Sequence, residues 1–166
     1  DGSDKTKVEA LKEAANTFLQ VVSESATANK VDHRVSIVGF GSASDRGYTN
    51  TEVLSVNGTN SWYQDENNRW KQIGQEYSSN ATNIYKKSLV AINSSTSINP
   101  MLTNAVKAVE ADGATAVDLG LDMASKVFSN QDATTQKEYT DGTRAKIVVV
   151  VTDGIPTHKS GLQENV

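Results

Sequence analysis

The stretch that most restricts the fold is Lys146 to Pro156, which reads KIVVVVTDGIP. Ile147 and the valines Val148 to Val151 make a short, wholly apolar, β-branched run. Such a run predicts a strand covered on both faces, as in a parallel sheet buried between helix layers. It ends at Thr152-Asp153-Gly154, a carboxylate followed by a residue suited to a sharp turn. In open α/β sheets ligands bind beyond the carboxyl ends of the strands, so Asp153 is expected where chemistry sits. A plainer role for the same carboxylate is to open the turn or cap the next helix.

A chain of 166 residues is one domain's worth and can bury a sizeable core. Its net charge of −4 and its lack of any long basic run argue against nucleic acid, whose phosphates need clustered Lys and Arg. No apolar run approaches a membrane span, so no membrane insertion is expected within this segment. With no cysteine, disulfides, thiolate metal sites and thiol nucleophiles are excluded together. That absence fits a cytosolic protein or a bacterial surface protein that avoids thiols, and abundant Ser, Thr and Asn with only 6% aromatic residues lean toward the second. The polar start and the stop soon after an apolar strand are those expected of a segment cut from a longer chain.

Read in order, Asp1 to Lys7 is polar and predicts a loop. Val8, Leu11, Ala14 or Ala15, Phe18, Leu19 and Val22 follow helical spacing, with Lys12, Glu13, Asn16 and Gln20 on the wet side. The pattern fades over Ser23 to Asn29. Arg34 to Phe40 predicts a strand, with Ser42 and Ser44 in the loop after it. His33 precedes that strand and is expected in solvent. Residues 42–85 are rich in Asn, Ser, Thr, Gly and Tyr and include Trp62 and Trp70. They predict an elaboration on the sheet rather than a second domain, being poor in aliphatics. Thr51 to Val56 predicts an edge strand closed by Asn57-Gly58, and Asn67 to Tyr77 a short helix. Three glycosylation sequons, at Asn57, Asn80 and Asn93, are unsurprising in so Asn-rich a chain. Ser88 to Asn93 predicts another strand. Pro100 suits the first turn of a helix capped by Asn99 or Ser97, and Ala116 to Phe128 a further helix. Ser129 to Thr143 is expected as a polar link before the valine run, and Ile155 to Val166 as a polar tail. The element order implies a layered α/β fold.

Several of these segments together resemble a von Willebrand factor A domain. Val8 to Phe18 (VEALKEAANTF) is similar to the family's first helix and Val35 to Gly41 (VSIVGFG) to its second strand. Asp112 to Leu121 (DGATAVDLGL) is similar to the segment carrying the family's metal-site threonine, and Ile147 to Pro156 to the fourth strand with its terminal Thr-Asp-Gly. The resemblance covers about residues 4–43 and 86–158. The long insertion and the Asn-Thr-Glu-Val-Leu stretch within it resemble A domains of Gram-positive surface proteins, particularly pilus-tip adhesins.

The resemblance implies a three-layer α/β/α Rossmann-like fold, with a mostly parallel central sheet, helices on both faces and residues 42–85 inserted. It also implies a metal-ion-dependent adhesion site holding a divalent cation, Mg²⁺ first and Mn²⁺ or Ca²⁺ as alternatives. Matching the motifs residue by residue, Thr115 and Asp153 are the implied metal ligands, with Ser42, Ser44 and Asp118 as candidate rim residues. Against ligation, Thr115 serves equally as a helix N-cap, and Asp118 as a first-turn carboxylate facing the helix dipole. His158 follows the Asp153 loop, with no role required of it. The family's Asp-x-Ser-x-Ser motif is not matched, since Asp1-Gly2-Ser3-Asp4-Lys5 carries Lys5 where serine is needed. That motif and the strand before it are expected upstream of Asp1, and the later strands after Val166.

The implied function is a non-enzymatic binding module, anchored on the bacterial cell surface, that holds an acidic side chain of a host or extracellular-matrix protein through the cation. One alternative is a structural A domain in a pilus or fibre, with no active metal site. A Mg²⁺-dependent hydrolase using Asp153 is the other. Against it, no second carboxylate follows Asp153 closely, and no phosphate-binding Gly-Lys loop or base–nucleophile pair is present.

Overall fold

The computed structural model describes residues 6–40, 48–53, 62–65, 70–72, 75–76, 81–92, 98–109 and 115–152. The chain is mixed α/β. Its first element is the helix α1 (Lys7–Asn29), which starts one residue before the expected point because Thr6 and Glu9 form a capping box. The Thr6 hydroxyl accepts from the Glu9 amide at 3.3 Å, and the Glu9 carboxylate accepts from the Thr6 amide at 2.8 Å. Rather than fading at Ser23, α1 runs on to Asn29 and ends at Lys30, whose φ of 54° is left-handed. Serine and threonine are tolerated in that last stretch because their hydroxyls bond back along the helix, as Thr27 does to the Ser23 carbonyl at 3.1 Å.

The strand expected over Arg34 to Phe40 is two short strands, β1 (His33–Val35) and β2 (Val38–Gly39), and they belong to different sheets. β2 leads a five-stranded antiparallel sheet with β3 (Tyr48–Val53), β4 (Trp62–Asp65), β5 (Trp70–Gln72) and β6 (Gln75–Glu76), in that order. The helix expected over Asn67 to Tyr77 is therefore replaced, where described, by the β5–β6 pair, with Lys71 opposite Glu76. Strand pairing to β4 overrides a weak local helical pattern. β1 pairs antiparallel with β7 (Val90–Ile92), His33 standing opposite Ile92 and Val35 opposite Val90. β7 is the core of the strand expected at Ser88 to Asn93.

Four helices follow the insertion or flank β7: α2 (Ala81–Ser88), α3 (Pro100–Ala108), α4 (Val117–Ser129) and α5 (Ala133–Thr140). The start of α3 is as expected, with Pro100 in its first turn and the Asn99 side chain accepting from the Met101 amide at 2.9 Å. α5 lies inside the segment expected to be a link. Its signal is Asp132, whose carboxylate accepts from the Thr135 amide at 2.8 Å.

Two apolar clusters form the core. Leu19 and Ala26 of α1, Val90 and Ile92 of β7, and Leu102 and Val106 of α3 make one, with Val35 and Ile37 against it. Val53 of β3, Tyr85 of α2, and Met123 and Val127 of α4 make the other, with Val38 and Leu89 against it. Val35 and Ile37 thus face the first cluster while Val38 faces the second, so the chain between β1 and β2 is buried from two sides.

The valine run departs most from expectation. Residues 145–152 carry no strand pairing among the described residues. Ile147 is 73% exposed, and the four valines after it are 44–57% exposed. Every ladder described is antiparallel. A β-branched run has strand propensity, but a ladder forms only where a neighbouring backbone offers its N–H and C=O groups. No described helix is long and apolar enough to cross a membrane.

Candidate functional site

Of the sequence-derived candidates, Thr115 and Asp118 are described, and both stand at the start of α4. Thr115 is half-buried and directly precedes Ala116, which is fully buried. Ala116, not Thr115, occupies the N-cap position, with φ −105°, ψ 71° and no side-chain cap hydrogen bond. Asp118 stands in the first turn of α4, with Oδ1 buried. The amide of Gly120 donates to the Ala116 carbonyl at 3.2 Å, closing the first turn. Asp153, Ser42, Ser44 and His158 lie outside the described residues.

Hard divalent cations take oxygen ligands. A threonine hydroxyl and an aspartate carboxylate at one helix start are donors of that kind, and the helix dipole there favours the ionised carboxylate. The donor chemistry of Thr115 and Asp118 thus fits a hard cation. Among the described residues no group of three or more His, Cys, Asp or Glu is close enough to hold a metal.

Phe40, the residue after β2, packs onto the same first turn. A Cβ placed on Gly120 would stand 2.9 Å from Phe40 Cδ1 and 3.0 Å from its Cβ and Cγ, closer than real side chains come. A side chain at 120 would thus oblige the ring or the turn to shift. The motif reading passed over Phe40, because a lone aromatic at a strand end carries no spacing signal.

Beside this turn lies a cavity of about 790 Å³, walled by Phe18 and Val22 of α1, Val35 of β1, Leu121 of α4, and Val148 and Val150. Its lining is mainly apolar. At one end Ser25 Oγ lies 3.4 Å from His33 Nε2, and Ser25 also accepts from Asn29 Nδ2 at 3.3 Å. His33 is half-buried rather than solvated. At 3.4 Å the Ser–His contact is longer than the range of a nucleophile–base pair, and Ser25 stands near the carboxyl end of α1, where the dipole disfavours an alkoxide.

The same end carries the strongest electrostatic cluster described. Arg144 donates from Nε to Glu138 at 2.7 Å, and its guanidinium also reaches the carbonyl and carboxylate of Asp32. Arg34 shares the Asp32 carboxylate at 3.1 Å and donates to Thr135 Oγ1 at 2.9 Å. The hydrogen bond to Glu138 raises the Arg144 pKa further above its ordinary value. Burial and the nearby Asp122 carboxylate raise the Tyr85 phenol. These groups are structural in their geometry, each engaged with a neighbouring element.

Compared with known proteins, the chain matches no family model, no curated protein and no solved structure.

Proposed function

We propose that this chain is part of a von Willebrand factor A-type binding module whose metal site uses Thr115 and Asp153. Asp118, Ser42 and Ser44 stand at the rim of that site, and a divalent cation, Mg²⁺ first, is held there. The observation that carries the reading is the start of α4. Thr115, half-buried, directly precedes the fully buried N-cap Ala116, and the Asp118 carboxylate stands in the first turn, so two oxygen donors meet at one helix start. The expected layering is supported by the split of Val35 and Ile37 from Val38 between two apolar clusters, one built on α1 and α3 and the other on α2 and α4.

When bound, the cation would supply an electrophilic centre for an acidic side chain of a protein ligand. Thr115 would offer a neutral hydroxyl ligand and Asp153 a carboxylate. So few protein charges would leave the ion able to accept the partner's carboxylate. The module binds and does not turn over substrate, and its place is the bacterial cell surface.

The test is calorimetric titration of Mg²⁺ and Mn²⁺ into the full-length protein, its Asp153→Ala variant and its Thr115→Ala variant. Saturable binding in the parent, lost with Asp153→Ala and weakened with Thr115→Ala, is expected. A folded parent that binds neither ion would leave a structural domain without a metal site as the better account.

A further inference from the structure

We infer that Phe40 and Gly120 are a positioning pair, in which the Phe40 ring sets where Thr115 stands. The inference rests on the metal-site reading above. The ring occupies the space a side chain at 120 would need, with 2.9 Å from Cδ1 to a Cβ position there. From the ring to the threonine the path has little slack. Glycine has no side chain to rotate away, its amide is bonded to the Ala116 carbonyl at 3.2 Å, and Ala116 is fully buried. Thr115 is the next residue. A displacement of the first turn of α4 is therefore passed along this bonded turn to Thr115.

Phe40 also follows β2 directly, so the residue whose ring touches the first turn of α4, which begins two residues after Thr115, also precedes Ser42 and Ser44 in the chain. An ordinary close helix–strand contact would need only that 120 be small. A positioning contact makes a further demand: the displacement must be felt by the ion. Mg²⁺ requires near-ideal octahedral geometry, whereas Ca²⁺ accepts variable distances and coordination numbers. A shift of the threonine should therefore weaken Mg²⁺ more than Ca²⁺. Loss of residues that orient metal ligands typically weakens affinity by about 10- to 100-fold.

The experiment compares Mg²⁺ and Ca²⁺ affinities, by calorimetry, of the full-length parent, Gly120→Ala, Phe40→Ala and the double variant, with thermal melting of each. Gly120→Ala is expected to lose about tenfold or more in Mg²⁺ affinity and less in Ca²⁺ affinity. Combining it with Phe40→Ala, which removes Cγ and Cδ1 from the contact, is expected to recover much of the loss. If Gly120→Ala does not fold, Phe40→Ala alone gives the same readout, since freeing the turn lowers the Mg²⁺-over-Ca²⁺ preference. Folded variants that melt lower but bind Mg²⁺ as the parent does would overturn the positioning role and leave the metal site standing. A parent that binds no metal would overturn both.

Discussion

The guanidinium of Arg144 donates to the backbone carbonyl of Asp32 at 2.9 Å, across 112 residues of sequence. Asp32 is the residue before β1, and Arg144 stands three residues before the apolar run. One side chain therefore sets the start of the valine segment against the start of β1. Arg144 has 18% of its side chain exposed and also bonds Glu138, so it meets both partners partly out of water. Replacing Arg144 by Met is expected to lower stability by about 1–2 kcal/mol, since charge-assisted bonds are lost while partial exposure tempers each. Urea unfolding should show it, and a charge-based effect should shrink as salt is raised.

Asp132 caps α5, and the amide and hydroxyl of Thr135 hold its carboxyl below the ordinary aspartate range. A carboxyl with a depressed folded pKa contributes stability that is present above its unfolded pKa. That contribution is lost as pH falls through the folded value. Asp132→Asn keeps a competent cap but cannot titrate. The variant is expected to match the parent more closely at low pH than at neutral pH, with the difference opening across the carboxylate range. Melting temperatures taken from neutral pH down to about pH 2 would show equal slopes if the cap carboxylate made no contribution.

Lys30 ends α1 in a left-handed conformation, its amide donating to the Ala26 carbonyl. A β-carbon in that region costs about 1 kcal/mol, and glycine avoids the cost. Lys30→Gly is expected to raise stability by about 0.5–1 kcal/mol after the added entropy of the unfolded glycine is subtracted. Denaturant midpoints of the two proteins decide it, and an unchanged or lower midpoint would contradict the cap geometry.

The valine run and the cavity beside it leave apolar surface open in the 166-residue chain. Such a surface should bind a hydrophobic dye, and Val149→Lys should reduce the dye signal. Val149 is 57% exposed, so the substitution is expected to change stability by no more than about 0.5 kcal/mol. A large loss of stability would show that Val149 is packed in solution.

The helical spacing from Val8 to Val22 was enough to find α1, and Pro100 behind Asn99 was enough to find the start of α3. Thr6-x-x-Glu9 and Asp132-x-x-Thr135 also announce helix starts in the sequence, yet both sit in polar stretches where apolar spacing is silent. These signals are local: a cap and an amphipathic stripe act over one or two turns, so neighbouring residues contain them in full. The apolar, β-branched character of Ile147 to Val151 is equally plain in the sequence, but pairing is not a local property. A strand needs a second backbone at hydrogen-bonding distance, and no neighbour pairs with this segment among the described residues. The same limit applies to the candidate site. The residue types at Thr115 and Asp118 could be read directly from the chain. That Ala116 takes the cap, and that the ring of Phe40 lies against Gly120 across 80 positions of sequence, was decided by tertiary packing, because only the folded chain brings β2 onto the first turn of α4.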